Sequence, residues 1–406
     1  MSPQTKPKVV AMIVASAIIM QQIDSTAITT ALPQMAISLH TDPVRLSAAV
    51  TAYLLSLVLF RSVEKAQLIG TMAYLQVPAQ LGPVLGPPMG GFITTYFSWR
   101  WIFLINVPLG ILGIVLVTRF FDNPKEETRR PLDWIGFVLT GAALFCIMYG
   151  VEAIGRGRSE FTQMIVLLVL GVVLGTLALR HLLRSDHPML DLSVFRIATF
   201  RASIGGGSLF RAGAGTLVFL LPLLLQIVFG LSAFASGSIT FASAVGSMSM
   251  KATARPIIRR FGFRNVILVN GIISAATIGM CAFFTPAMPV FLIFALLLVS
   301  GFFRSLQFTA TQAMIYADLH NPQMSTATSI AGMAQQLSRG FGVSFVAVLL
   351  QLSLARRGES TLGAADFTVA FTGAAALALM SLGFGWTLRH DAAAEVSGHR
   401  SKSAEV

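Results

Sequence analysis

Three charged side chains lie inside or beside the longest apolar stretches of the sequence. Asp24 interrupts the first of these stretches, and Arg211 and Arg304 border residues 212–250 and 265–303, which contain no Asp, Glu, Lys or Arg. A charge among apolar neighbours is unfavourable unless it has a partner or becomes neutral. Asp24 is therefore a candidate for binding and releasing a proton, or else a structural acid hydrogen-bonded to other helices. Arg211 and Arg304 are further candidates for proton coupling. Together with Arg339, which also falls within a predicted span, they can neutralise Asp24, line a path for anions, or organise water for proton movement.

Membrane-spanning helices are the elements that must position these charges. Of the 406 residues, 55% are hydrophobic and 11% are charged, whereas soluble domains carry about 25% charged residues. Each of the two long uncharged stretches holds a pair of spans, because one crossing takes about 20 apolar residues. The alternating segments of about ten residues that indicate a β-barrel are absent from the sequence. The sequence thus predicts an all-α, polytopic membrane protein.

About twelve spans are predicted, in blocks of four, two and six. They are expected near residues 9–31, 46–60, 71–96, 101–121, 134–152, 163–183, 202–229, 236–250, 265–285, 289–314, 328–353 and 367–388. The corresponding regions are an incomplete N-terminal bundle (1–121), two linker spans with their cytoplasmic loop (122–184), a C-terminal six-helix bundle (185–388) and a cytoplasmic tail (389–406). Transporters are often built from two similar bundles with the pathway between them, so the first block is expected to lack two helices.

The basic residues predict the orientation of the spans. The net charge is +12, and most of the 29 Lys and Arg residues fall in alternate connections, beginning with the N-terminus. Cytoplasmic connections are the basic ones in membrane proteins. Both termini are therefore expected in the cytoplasm, and the positive charge reflects topology rather than a nucleic-acid partner.

A glycine and proline motif occupies residues 82–91. Its members are Gly82, Pro83, Gly86, Pro87, Gly90 and Gly91. Glycines four residues apart form a bare stripe that lets another helix approach closely, and the prolines remove backbone donors and bend the helix. This helix is predicted to rock between inward-open and outward-open states; static close packing is the alternative.

Four glutamines in the C-terminal spans are candidates for a substrate cavity: Gln226, Gln312, Gln335 and Gln336. Together with Met and Phe side chains they can line an adaptable amphipathic cavity for bulky apolar compounds. The apolar side chains among them can equally face lipid or the protein core.

A basic connection over residues 251–264 is predicted to close a cytoplasmic gate. Its candidate residues are Arg255, Arg259, Arg260, Gly262 and Arg264. Such a loop can meet acidic residues or helix C-termini. Orientation of the spans by positive charge is the simpler alternative.

Enzyme chemistry has little support in the sequence. There is no P-loop pattern, no nucleophile elbow, and no histidine or cysteine spacing suited to a metal. We therefore expect neither a catalytic residue nor a cofactor, and no drive by ATP.

Three motifs together resemble the fourteen-span drug:proton antiporters of the major facilitator superfamily, the EmrB/QacA type. They are Asp24-Ser25-Thr26 with Ala31-Leu32-Pro33, the motif at 82–91, and Ser98-Trp99-Arg100-Trp101 continuing to Pro108. The resemblance covers nearly the whole chain. It implies a major facilitator fold in a bacterial inner membrane, export of amphipathic compounds driven by the proton gradient, a coupling role for Asp24, and an antiporter motif at 82–91. It also implies a periplasmic adaptor and an outer-membrane channel as partners.

The sequence departs from this family pattern after Phe60. The family's basic loop between its second and third spans is missing, as is the arginine of its fourth span, and residues 46–60 are too short for a full crossing. The expected function is proton-coupled export by alternating access. The alternative is a non-transporting remnant or internal-deletion product of such a transporter.

Overall fold

The structure is a computed structural model. It describes residues 30–31, 33–38, 86–105, 107–108, 111, 115, 133–153, 161–185, 192–319, 323–359 and 361–388. These residues form helices, helical turns and connections, and they include no strand. The prediction of an all-α chain is confirmed.

The N-terminal third contributes short described helical pieces. Residues 86–96 are helical and are named α1, and Arg100–Leu104 form α2. Residues 30–31 and 33–38 are helical as well. Asp24, Gly82, Pro83 and the predicted span at 46–60 lie outside the described residues, so the expectations for them stay predictions.

A hairpin of two helices follows. It consists of α3 (Trp134–Ala153) and α4 (Phe161–Arg184), which pack against each other along their length. Asp133 Oδ1 accepts the backbone N–H of Gly136 at 2.8 Å and lies 2.8 Å from His181 Nε2. One carboxylate therefore caps the start of α3 and ties it to the end of α4. Most apolar side chains of α4 face outward, as expected for a helix in lipid.

The C-terminal block is formed by long helices with a few interruptions. They are α5 (Ala198–Gly215), α6 (Leu217–Leu223), α7 (Ala233–Phe261), α8 (Gly271–Met280), α9 (Val290–Ile315), α10 (Met324–Arg357), α11 (Ala364–Met380) and α12 (Leu382–Trp386). The break between α5 and α6 is at Thr216, whose Oγ1 donates to the carbonyl of Gly213 at 2.7 Å. Pro222 removes one backbone donor in α6, and a π-helical turn over Leu224–Val228 follows. These pieces form one continuous apolar segment.

Two buried amides secure a second π-helical turn, Val266–Asn270, before α8. Asn270 Nδ2 donates to Phe303 O and to Gln307 Oε1, each at 2.9 Å, and Gln307 Nε2 donates to Ile267 O at 3.0 Å. A π-helical turn interrupts the regular backbone bonding of an α-helix. The amide side chains of Asn270 and Gln307 tie this irregular turn to α9.

Close helix contacts in the C-terminal block depend on small residues. A methyl group added at Gly246 of α7 would lie 1.9 Å from the carbonyl oxygen of Leu298. One added at Gly301 of α9 would lie 2.0 Å from that of Ser243. Small residues let helix backbones approach in membranes, where the hydrophobic effect does not drive helices together. The contact between α7 and α9 therefore tolerates no larger side chain at either glycine.

Six helical segments among the described residues are long and apolar enough to cross a membrane. They are Thr162–Arg184, Ala198–Val228, Phe263–Phe283, Val290–Ile315, Thr326–Arg357 and Ala364–Trp386. Each matches a predicted span to within a few residues, and the helical, multi-pass character of the chain is confirmed. The division of the spans into four, two and six stays a prediction.

Candidate functional site

Arg211 lies at the centre of a polar cluster inside the C-terminal helices. Its side chain projects from α5 and is 5% exposed. Its Nη2 donates to Gln312 Oε1 on α9 at 2.9 Å, and the same oxygen accepts Gln335 Nε2 from α10 at 3.0 Å. One amide oxygen thus holds three helices together around a buried cation.

The other end of the Arg211 guanidinium is not satisfied. Nη1 is buried and has no hydrogen-bond partner. A methyl group added at Gly207 would lie 3.1 Å from it, and the ring centre of Phe308 is 5.8 Å from the guanidinium carbon. Buried polar groups are rarely left unpaired, so this atom is a candidate for contact with a ligand or an ordered water.

Arg339 brings a second positive charge to the same place. Its side chain lies against Gly215, one turn after Arg211, and the two guanidinium charges are close enough to repel. Arg339 Nη1 lies 3.4 Å from Gln336 Oε1. We name Arg211, Gln312, Gln335, Gln336 and Arg339 the arginine cluster. Three of the four predicted cavity glutamines belong to it. Arg211 and Arg339 fall in different predicted spans, and their closeness could not be predicted from the sequence.

Arg304 lies apart from the arginine cluster. It belongs to α9, like Gln312, but its Nη2 donates to Ser243 Oγ on α7. The two arginines predicted for proton coupling therefore serve different helix interfaces, Arg211 between α5, α9 and α10, and Arg304 between α7 and α9.

Gln226 is also separate from the arginine cluster. Its Nε2 donates to the backbone carbonyl of Thr30 at 3.0 Å. This bond joins the C-terminal helices to the end of the first predicted span. Gln226 thus lies at a contact between the N-terminal and C-terminal parts of the chain.

The glycine and proline motif makes a second contact between these parts. A methyl group added at Gly91 would lie 2.5 Å from the carbonyl oxygen of Ala233, and one added at Gly237 would lie 2.3 Å from that of Pro87. Thr95 Oγ1 accepts the backbone N–H of Phe234 at 3.1 Å. We name this the α1–α7 contact. Glycine is required on both helices because any Cβ would collide with the opposite backbone.

The family model of the Major Facilitator Superfamily matches the sequence twice, over residues 58–343 and 204–402. The chain belongs to the Major Facilitator Superfamily. This membership confirms a multi-pass membrane transporter rather than an enzyme.

Curated relatives agree with this assignment. The chain is 28% identical to "Putative multidrug resistance protein MdtD" of Serratia proteamaculans, over 83% of this chain and 84% of that protein. It is 32% identical to the protein of the same name from Escherichia coli O6:H1, over 73% of this chain and 63% of that protein, so it spans less than two thirds of that relative. A solved bacterial homolog of the human lysosomal transporter Spinster, 13% identical, superposes over 99% of the chain with a TM-score of 0.48.

In the alignment with the Serratia relative, many positions are gaps in this chain. The alignment extends over 409 residues, although 83% of the 406 residues of this chain is about 337. Roughly 70 positions therefore hold a residue of the relative and none of this chain, which is about the length of two spans of 20 residues or more with their connections.

The basic segment of this Major Facilitator Superfamily chain differs from the predicted loop. Residues 251–261 continue α7 as helix, including Pro256, and the chain turns only at Gly262, where φ is 74°. Lys251 Nζ donates to Thr309 Oγ1 on α9 at 3.2 Å. A left-handed backbone conformation suits glycine, so one residue makes the turn and the arginines lie on the flanking helical turns.

The predicted gate arginines therefore lie on helices. Arg255, Arg259 and Arg260 are on α7, and Arg264 is in the short helix Phe263–Asn265. Their role at a gate stays a prediction.

A second charged cluster was not predicted. Asp366, in the first turn of α11, is fully buried and accepts four hydrogen bonds. Two come from Arg357, one from its Nε at 3.0 Å and one from its Nη2. The others come from Ser353 Oγ at 2.6 Å and from the backbone N–H of Gly363 at 2.9 Å. Glu359 adds an ion pair to Arg357 at 2.7 Å. We name these residues the Asp366 cluster; it fastens α10 to α11. The sequence contains one signal for this cluster. Gly363 lies three residues before Asp366 at the start of an apolar run, which is a pattern typical of a helix start.

Proposed function

We propose that the chain is a proton-coupled antiporter of the fourteen-span EmrB/QacA type with two spans fewer. In this proposal it exports amphipathic compounds across the bacterial inner membrane by alternating access. The proton gradient supplies the energy, and Asp24 is the proton-binding group. The chain's family and the names of its relatives support transport of small compounds.

The observation that carries this proposal is the α1–α7 contact. Alternating access requires the N-terminal and C-terminal bundles to meet on one side and separate on the other. On the predicted topology, Gly91, Thr95 and Ala233 all lie toward the outer side, so this contact closes the outer end. The two backbones meet directly there, and the rings of Phe92 and Tyr96 pack edge-on against Phe234. Such a contact can break and re-form as the bundles rock.

The bond between Gln226 and Thr30 supports the same proposal. It lies at the end of the first predicted span and at the end of the first C-terminal segment. On the predicted topology both ends are on the outer side. In an inward-open or occluded state the two bundles must meet on the outer side, and both contacts meet this requirement on the predicted topology.

A non-transporting remnant is the second candidate function. The roughly 70 alignment positions without a residue of this chain favour an internal loss of about two spans. A bundle without two helices exposes faces that evolved for packing, and such a chain can insert without cycling. The junction proposed for this loss is between Phe60 and Arg61.

The proposed partners follow from the same function. They are the lipid bilayer, a small amphipathic substrate, and a periplasmic adaptor with an outer-membrane channel. Both termini are proposed to lie in the cytoplasm.

Substrate-driven proton movement in proteoliposomes tests the proposal. The preparations are the chain itself, its Asp24→Asn variant, and a version in which two spans of the Serratia relative are inserted between Phe60 and Arg61. The compounds are ethidium, tetraphenylphosphonium and deoxycholate. We expect flux with at least one compound, and its loss in Asp24→Asn.

Two results would decide against antiport by this chain. Flux in the restored version alone would identify the chain as a transport-inactive remnant. Flux that is equal in Asp24→Asn and in the parent would remove Asp24 from the coupling mechanism.

A further inference from the structure

A small polar cavity lies where α5, α9 and the last two helices meet. Its described lining includes Ser203 and Gly206 of α5, Thr311 of α9, and Ser381 between α11 and α12. The described residues that line it are all uncharged. The cavity leaves about 10 Å³ for the centre of a water molecule, and a space of that size holds about one water. It is therefore too small for a transported compound.

The hydroxyl of Ser203 lies at this cavity without a partner from the protein. The residue is 1% exposed, and its Oγ makes no hydrogen bond within the described part of the chain. Two neighbouring hydroxyls bond to backbone carbonyls of their own helical turns, Thr311 Oγ1 to Gln307 O at 2.7 Å and Ser381 Oγ to Ala378 O at 2.6 Å. Buried polar groups are rarely left unpaired, so the Ser203 hydroxyl indicates a partner from solvent.

Three further side chains that line the cavity can bond a water. Thr311 Oγ1 and Ser381 Oγ each donate to a backbone carbonyl and can still accept a hydrogen bond. Gln307 Nε2 donates to Ile267 O at 3.0 Å, and an amide nitrogen carries a second proton to donate. A buried water makes about two to four hydrogen bonds to polar groups, and these side chains together with Ser203 supply that number.

We propose that this cavity is the binding site of an ordered water, held by Ser203 and by the polar side chains of α9 and the α11–α12 junction. The water joins the start of α5 to α9 and to the last two helices. A bridge of this kind is nearly as favourable as a direct hydrogen bond. On the predicted topology the site lies toward the cytoplasmic side. It is independent of the proposed export function.

Radiolytic labelling of the full chain in detergent tests for the water. X-ray pulses generate hydroxyl radicals from water, and these oxidise a methionine that the water contacts. Met314 lines the cavity and is 1% exposed, whereas Met250, in the same apolar core, is 0% exposed and is not among the lining residues. We expect Met314 to be oxidised several times faster than Met250, as measured by mass spectrometry at increasing dose. A radical scavenger in the buffer should leave the rate at Met314 unchanged, because the radical forms beside it.

Ser203→Ala removes the hydroxyl that holds the water. The oxidation rate of Met314 should then fall to that of Met250. The melting temperature should also fall, because a satisfied buried hydroxyl is lost, whereas removal of an unpaired one relieves a cost and would raise it. Ser274→Ala is the matched control: it removes another buried hydroxyl without a partner, on α8, from a residue that is not among those lining the cavity. It should leave the oxidation of Met314 unchanged.

Several results would overturn the proposal. Equal oxidation of Met314 and Met250 in the parent would show that no water is bound, and this comparison requires no variant to fold. Suppression by the scavenger would show that bulk water reaches Met314 through an opening. Unchanged oxidation of Met314 in Ser203→Ala, an equal loss in Ser274→Ala, or a rise in the melting temperature of Ser203→Ala would remove Ser203 from the site.

Discussion

The Asp366 cluster and the arginine cluster each surround a buried charge that bonds to or lies beside side chains of α10, but they differ in how that charge is satisfied. Asp366 accepts four hydrogen bonds, two of them from Arg357. Arg211 has one amide oxygen as its acceptor, and its Nη1 has none. The first arrangement is complete within the protein, whereas the second has a vacant donor.

This difference separates a fully hydrogen-bonded charge from one with an unused donor. A buried ion pair with all its hydrogen bonds made holds two helices in register, and removing one partner leaves the other uncompensated. Arg211, by contrast, makes one hydrogen bond, to Gln312, and its Nη1 makes none, so its removal breaks fewer bonds than the removal of Asp366. The predicted effects of substitution therefore differ in size between the two clusters.

The largest effect on folding is expected at Asp366. Asp366→Ala removes the acceptor of four hydrogen bonds and leaves Arg357 without its buried carboxylate. We expect the melting temperature in detergent to fall by about 5 °C or more. The double variant with Arg357→Met should recover part of this loss, because no unpaired charge remains. A loss that is the same in the double variant would show that the charge is not the cause.

A smaller effect is expected from Ser353→Ala. It removes one of the four donors to Asp366, the hydroxyl at 2.6 Å, and leaves the ion pair in place. The melting temperature should fall by about 2 °C. A fall as large as that of Asp366→Ala would mean that the cluster acts as one unit.

The smallest effect is expected at the edge of the arginine cluster. Gly332→Ala adds a methyl group where no atom lies within 4 Å, and alanine favours the helix more than glycine does. The melting temperature should rise by about 1 °C. Gly301→Ala is the control: its methyl group would collide with Ser243 O, and we expect clear destabilisation. Destabilisation by Gly332→Ala would show that the cluster is closed.

The spans could be predicted from the sequence because lipid imposes one requirement on every crossing, a long apolar helix. The uncharged stretches at 212–250 and 265–303 include large parts of Ala198–Val228, Phe263–Phe283 and Val290–Ile315, which meet this requirement and end within a few residues of the predicted spans. The helix predicted at 236–250 extends from Ala233 to Phe261 and is not among the candidate spans of the described residues. The helical continuation at 251–261 was missed because its arginines mark a cytoplasmic connection equally well in helix or loop. Pro256 lies inside the helix, and the chain turns at Gly262, where φ is 74°.

The candidate site was predictable in residue type but not in pairing. Buried arginines and glutamines are conspicuous in apolar helices, yet helix rotation decides which of them meet. Gln312 and Gln335 thus join Arg211, while Gln226 bonds to Thr30. The Asp366 cluster escaped prediction because Arg357 and Asp366 lie at span ends, where charged residues normally only mark topology.

The central claim is that the charge of Asp366 is satisfied within the protein, whereas Arg211 keeps a buried donor without a hydrogen-bond partner. The most direct test compares the melting temperatures of Asp366→Asn and Arg211→Gln, side by side. The account predicts a clearly larger fall for Asp366→Asn, because it disrupts a buried ion pair with four hydrogen bonds, whereas Arg211→Gln removes one hydrogen bond to a neutral acceptor. An equal or larger fall for Arg211→Gln would contradict the distinction between the two clusters.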